Sequence, residues 1–262
     1  KSDTTSELFG SLGYLTELKF EKEQGLNRHL FTPKTFIRYA PGSMRKESKG
    51  SRLNPITAFD INRLENINNY ETGFSSTLGF DYKMKTIDKI LDFSIAQIFN
   101  EKENKKMSSK SSLDEKNSDL VGSANLNFNK KIDFNYNFNI DQNYKDLNYS
   151  DIGTNMNFGA VNINFNYLKE KKHIGDQDYF KTKMTLKNKD NGLFSFETKR
   201  NLITNSSEFY DLSYEYINDC LRAGLVYRRE FYNDSEIEAE NSLLFKITLI
   251  PFGETNSPLI NQ

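Results

Sequence analysis

From Ala124 to Lys169 the chain alternates apolar and polar residues with a period of two. Ile132, Phe134, Tyr136, Phe138 and Ile140 fall between Asp133, Asn135, Asn137, Asn139 and Asp141. Leu126 and Phe128 continue the pattern before this run, against Asn125, Asn127 and Asn129. Val161, Ile163, Phe165 and Tyr167 continue it afterwards, against Asn162, Asn164 and Asn166. A strand sends successive side chains to opposite faces, so each segment has one apolar and one polar face. The segments run to about ten residues, the length of a tilted strand that crosses an outer membrane and longer than most strands of a soluble sandwich.

Composition narrows the class. The 262 residues have a mean hydropathy of -0.71, and no run approaches the roughly 18 apolar residues of a spanning helix. A helical membrane protein is excluded. A barrel is not, because only every second strand residue has to be apolar, and 21 Phe and 14 Tyr suit a lipid face with aromatic girdles. Lys and Arg number 35 against 36 Asp and Glu, a net charge of -1, which gives no field to attract a nucleic-acid partner. A single cysteine, Cys220, leaves no internal disulfide, and two histidines offer little for a metal site. No cofactor motif is present. The chain begins at Lys1 without a charged-then-apolar leader, as a mature form or a fragment does.

The pattern predicts about thirteen strands, at 7–20, 28–39, 71–84, 89–99, 119–129, 132–142, 149–158, 161–169, 179–188, 193–201, 209–217, 220–231 and 242–250. Short links at 130–131, 159–160, 190–192 and 218–219 alternate with longer ones at 100–118, 143–148, 170–178, 202–208 and 232–241. Outer-membrane barrels show this asymmetry, with their short turns on the periplasmic side. The parity holds only if 40–70 is one long extracellular loop, its apolar piece at 58–64 included. The expected fold class is therefore all-β, an antiparallel transmembrane β-barrel. Its odd strand count points to an incomplete barrel, with residues 1–262 as the C-terminal part and 40–70 and 100–118 as long extracellular loops.

Facing follows from alternation. Phe74, Leu78, Phe80, Tyr82, Phe194, Phe196, Leu212, Tyr214, Leu221, Leu225, Phe245, Ile247 and Leu249 fall on the lipid side. Asp81, Lys83, Lys181, Lys183, Glu197, Lys199, Asp211, Glu215, Arg222, Arg228, Glu230 and Lys246 fall on the lumen side, where charge costs little. Arg229 breaks the pattern near a strand end, from which it can snorkel.

Three stretches carry a family likeness. Tyr210 to Tyr232 (YDLSYEYINDCLRAGLVYRREFY) resembles the C-terminal hairpin of the lipopolysaccharide-assembly outer-membrane protein family LptD. Arg28 to Met44 (RHLFTPKTFIRYAPGSM) is similar to that family's strand leading into a large outer loop, and Ser242 to Gly253 (SLLFKITLIPFG) to its closing strand. Together they cover roughly a fifth of the chain, at both ends; the middle matches in pattern alone.

The resemblance implies a translocon component that takes lipopolysaccharide from a periplasmic bridge and inserts it into the outer leaflet through a lateral seam. Leu243, Phe245, Ile247, Leu249 and Pro251 would then lie on the seam strand. Pro251 cannot donate a ladder hydrogen bond, so it reads as a strand terminator or as a gating element. The family also implies an interdomain disulfide, for which Cys220 is the candidate, a free thiol being the alternative. Implied partners are lipopolysaccharide, an LptE-like plug lipoprotein and bridge proteins reached through an N-terminal domain. The lumen charges Asp211, Glu215, Arg222, Arg228 and Glu230 either hold neighbouring strands or contact the plug.

Other readings stay open on the residues alone. A passive porin would use the same charges to tune solute selectivity. The asparagines also fit an A/T-rich genome, which explains the residue type but not its position on every second site. The lysine-rich segment 100–118 reads as a solvated loop, with contact to lipopolysaccharide phosphates as the alternative. His29 and His173 fall on opposite rims, neither beside a Ser nucleophile and an orienting acid, so no active site is singled out and no enzyme is expected, an outer-membrane hydrolase being the alternative.

Overall fold

The structure is a computed structural model that describes residues 10–48, 52–64, 66, 68–173, 175–188, 191–218, 220–231 and 241–249. The strands are β1 (Leu12–Glu17), β2 (Phe20–Gln24), β3 (Asn27–Ala40), β4 (Gly73–Lys85), β5 (Lys89–Asn100), β6 (Leu120–Phe128) and β7 (Ile132–Ile140). They continue as β8 (Leu147–Phe158), β9 (Val161–Glu170), β10 (Gln177–Lys187), β11 (Gly192–Asn201), β12 (Ser206–Ile217), β13 (Leu221–Glu230) and β14 (Asn241–Leu249). Among the described residues the helical elements are two 3-10 turns, Thr57–Phe59 and Ser109–Ser111.

The strands form one all-antiparallel meander in the order β1-β3-β4-β5-β6-β7-β8-β9-β10-β11-β12-β13-β14, with β2 also pairing β3. Among the described residues β1 and β14 end the order. The expected count of about thirteen holds, because β1 and β2 act as one strand. Glu17 pairs Lys34 and Phe20 pairs Phe31, a single register against β3. The interruption at Leu18 and Lys19 lies opposite Pro33, which has no amide hydrogen to give the ladder; Leu18 N still donates to Pro33 O at 3.2 Å. That first strand runs to Gln24 rather than Phe20, and the next begins at Asn27 after a two-residue turn with Gly25 at φ 61°.

Connections alternate in length along the chain. Short turns follow β2, β4, β6, β8, β10 and β12, and longer segments follow β3, β5, β7, β9 and β13; the link after β11, 202–205, is shorter than the expected 202–208 and equals the 188–191 turn in length. At the β6–β7 turn both Asn129 and Lys130 adopt positive φ, the backbone that matches strand twist in a tight hairpin.

By contact the chain divides into two units, Lys1–Gly153 with Leu168–Gln177, and Thr154–Tyr167 with Asp178–Gln262. In the first unit, register sorts the residues as alternation predicts. One face carries the row Pro33, Phe80, Ile95, Gly122, Phe138 and the row Phe31, Tyr82, Phe93, Ala124, Tyr136. The other carries Thr32, Asp81, Ser94, Ser123, Asn137 and Lys83, Asp92, Asn125, Asn135. The Phe138 ring lies where a Cβ on Gly122 would be, with Cζ at 2.1 Å from that position.

The buried core of this unit sits on the polar face, under the two longest connections. Met44, Leu53, Ala58 and Leu64 from 41–72, with Met107 and Leu113 from 101–119, pack on Ala96, Ile98 and Val121. The segment 100–118 therefore differs from the solvated loop expected of its lysines. Met107 and Leu113 give it apolar anchors, Ser111, Ser112 and Ser118 are buried with them, and the lysines point outward.

In the second unit β10 to β14 repeat the sorting. Met184, Phe196, Leu212, Tyr227 and Leu243 form one row, and Leu186, Phe194, Tyr214, Leu225 and Phe245 the next. These side chains are largely exposed, Phe245 to 68%. A continuous exposed apolar sheet face is disfavoured in water, whereas it is the surface that lipid covers.

Candidate functional site

The polar face of the second unit carries the predicted lumen charges, and its register brings them into cross-strand rows. Lys183, Glu197, Asp211 and Arg228 form one row, with Lys181 and Lys199 in the next. Arg228 reaches Asp211 with both arms, Nε to Oδ1 at 2.7 Å and Nη2 to Oδ2 at 2.6 Å. Its Nη1 lies 3.4 Å from Glu230 Oε1, and its guanidinium sits 5.2 Å over the Phe209 ring. Arg222 pairs with Glu215, with Nη2 to Oε2 at 3.2 Å. Glu197 accepts from Lys181 at 2.7 Å and Lys183 at 3.2 Å, and Lys199 from the same face meets Glu208 at 2.7 Å. All five named lumen charges thus engage opposite charges on the same or a neighbouring strand. Such pairs tie strands together at modest net gain where they are exposed.

Strand β14 pairs β13 along nine residues, from Leu221 with Leu249 to Arg229 with Asn241. Among the described residues no strand pairs its other edge, which leaves a row of backbone donors and acceptors along it. Leu243, Phe245 and Ile247 are exposed at 66%, 68% and 55%. Leu249 is the last described strand residue, and Pro251 lies outside the described residues. Arg229 is on the apolar side at the end of β13, its guanidinium 4.8 Å over Phe231. Cys220 is exposed in the turn between β12 and β13, its N–H donating to Asn218 Oδ1 at 3.0 Å.

The first unit holds a polar network that pattern reading missed. Arg38 on β3 donates through Nε to Ile61 O at 2.7 Å and also to Glu71 O. Arg63 forks onto Glu71 at 2.7 and 2.6 Å and reaches Ser75 Oγ at 2.8 Å. Burial pushes the Arg63 guanidinium below its ordinary range, against the pull of Glu71. Further along, Thr77 Oγ1 donates to Ala58 O at 3.0 Å and Asn139 Nδ2 to Leu53 O at 3.1 Å. Arg52 pairs with Glu170, which also accepts from the His173 N–H at 3.0 Å. These bonds fix 41–72 to the polar face. The available signal was the polar spacing of Arg38, Ser75 and Thr77, but loop partners have no period. His29 bonds Tyr82 through Nδ1 at 2.8 Å on the apolar face, and His173 lies in the 171–176 connection. Among the described residues no three His, Cys, Asp or Glu side chains are grouped to hold a metal ion.

Comparison with known proteins gives a family and no detailed template. No curated protein matches. A triple mutant of the porin of Rh. blastica is among the similar solved structures, at 9% identity and a TM-score of 0.35, over 90% of this chain and 88% of the porin. The family model for LPS transport system D, LptD, matches residues 11–201, well over half of the chain. The chain belongs to the LptD family of lipopolysaccharide transport proteins.

Proposed function

We propose that the chain is the C-terminal part of an outer-membrane barrel that inserts lipopolysaccharide into the outer leaflet through a lateral seam formed by β14. The observation that carries the reading is the exposed apolar row Leu243, Phe245 and Ile247 on the strand that ends the order, in a member of the LptD family. Acyl chains would follow that row, while the polar face takes the sugar headgroup. Leu249 and Pro251 would close the strand, and Pro251, without an amide hydrogen, would limit pairing there. The paired charges Asp211, Glu215, Arg222, Arg228 and Glu230 hold β12 to β13 in register; contact with a plug lipoprotein would use the same face. On this reading 40–70 and 100–118 belong to the outside, the short turns to the periplasm, and bridge proteins deliver lipid through an N-terminal domain. Cys220, exposed in a short turn, would then be placed for an interdomain disulfide.

Photo-crosslinkers at Phe245 and Ile247 test this in cells. Adducts with labelled lipopolysaccharide are expected there and not at Ser195 on the far polar row. Absence of adducts along 242–249 sinks the seam.

One observation favours a porin-type channel instead: the segment 41–72 lies on the polar face, as a constriction loop would. Steady conductance from the full protein in planar bilayers, with solute selectivity altered by Arg228→Gln, would support that reading over the translocon.

A further inference from the structure

We propose that the cavity bordered by Ser123 on β6 and Asn137 and Asn139 on β7 is a binding site for neutral sugar rings, which deepens the proposed function by naming the part of the glycolipid that this face holds. A cavity of 360 Å³ lies on the polar face of the first unit. It is lined by Ser123, Asn137, Asn139 and Tyr149 from the strands and by Arg52 and Asn54 from the covering segment. Ligand cavities begin at roughly 300 Å³, so this one suits one or two sugar rings rather than a lipid.

The lining chemistry selects the ligand. Register pairs Ser123 with Asn137 and, two residues on, Asn125 with Asn135, so amides repeat across the strands. An amide side chain offers a donor and an acceptor side by side, which matches the paired hydroxyls of a sugar ring. Asn139 already gives its Nδ2 to Leu53 O, which leaves its carbonyl oxygen for a ligand hydroxyl. The one charge in the lining, Arg52, is neutralised by Glu170, and its guanidinium stacks 4.1 Å over the Tyr149 ring. An acidic sugar or a phosphate therefore finds no free cation in this lining. Arg52 Nε is buried without a partner among the described residues, and a buried N–H left unpaired is costly. A sugar oxygen in the cavity would satisfy it. Beside the cavity, a Cβ at Gly153 would lie 2.2 Å from Asn135 Oδ1, so the missing side chain makes room for that amide.

The experiment uses the full-length protein in detergent micelles, with maltotetraose as probe and tetragalacturonate as the acidic comparison, read by saturation-transfer NMR. Binding of maltotetraose and none of tetragalacturonate is expected. Asn137→Leu and Ser123→Ala should each weaken it about five- to tenfold, the loss of one or two hydrogen bonds. Asn127→Leu, on the same face outside the cavity, should leave it unchanged, and heat-modifiable migration on gels confirms that each variant is folded. No maltotetraose signal, equal binding of the acidic sugar, or an equal loss in Asn127→Leu would overturn the site. Surface delivery of lipopolysaccharide, measured in the same strains, separates the two claims: delivery without sugar binding rejects this site and leaves the translocon standing, whereas sugar binding without delivery rejects the translocon.

Discussion

Arg63 and Glu71 meet as a two-bond fork, Nε to Oε2 at 2.7 Å and Nη2 to Oε1 at 2.6 Å, with their side chains 0% and 5% exposed. Both residues lie in the 41–72 connection, and Arg63 also reaches Ser75 on β4, so the pair is where the segment is fastened to the sheet. Removing one partner strands the other charge in the dry interior, at a cost of about 3 to 5 kcal/mol. Arg63→Met should release 41–72 while the strands stay folded. Hydrogen exchange should then rise over 53–71 and stay flat over β6 and β7; uniform exchange would show that the pair carries no local fastening.

Close approach sets a second expectation. A Cβ on Gly79 would lie 2.2 Å from the Ile95 carbonyl oxygen, which is backbone and cannot turn aside. At Gly122 the obstacle is the Phe138 ring, which can rotate. Gly79→Ala should therefore destabilise the sheet more than Gly122→Ala. Urea midpoints in micelles check the order, and equal midpoints would refute it.

The apolar face makes the membrane reading quantitative. Leu212 lies mid-strand in the row of Met184, Phe196, Tyr227 and Leu243, whereas its neighbour Ser213 points to the opposite face, with Ser195. If lipid covers the first row, Leu212→Arg should cost about 2 to 4 kcal/mol in folding into bilayers and Ser213→Arg about 1 or less. Similar costs at the two sites would mean that the faces are not lipid and lumen.

The sorting of residues into two faces and the strand count were legible because each follows from a local period, and the alternation of short and long connections followed from the strand bounds except at 202–205, where β12 starts earlier than its pattern suggested. The charges at Asp211, Glu215, Arg222, Arg228 and Glu230 were placed on one face for the same reason; their partners then followed from register, which alternation alone does not fix. What escaped was the packing of 41–72 and 101–119. Arg63 finds Glu71 and Arg52 finds Glu170 across intervals of no fixed spacing, and Met107 and Leu113 look like stray apolar residues in a charged segment. The gap between β1 and β2 was legible in principle, since Pro33 must break the ladder opposite it, but only once the register was known.

Asp119 gives the protein a pH dependence with a defined sign. It ends the 101–119 connection and is buried, accepting from Asn148 Nδ2 at 2.9 Å and Lys172 Nζ at 3.4 Å, while Asp141 lies 3.5 Å from the same lysine. Burial raises the Asp119 carboxyl above its ordinary value and outweighs the bonds from Asn148 and Lys172 that lower it. A carboxyl whose folded-state pKa is raised binds its proton more tightly in the fold than in the unfolded chain. Its contribution is therefore most favourable below the ordinary carboxylate range and declines as pH climbs from that range through the raised value. Asp119→Asn keeps an acceptor for Asn148 and removes the ionisation, so it should flatten this decline. Thermal unfolding followed from pH 4 to 8 checks it: the variant should gain on the parent as pH rises, and parallel curves would show that Asp119 ionises in the fold as freely as in water.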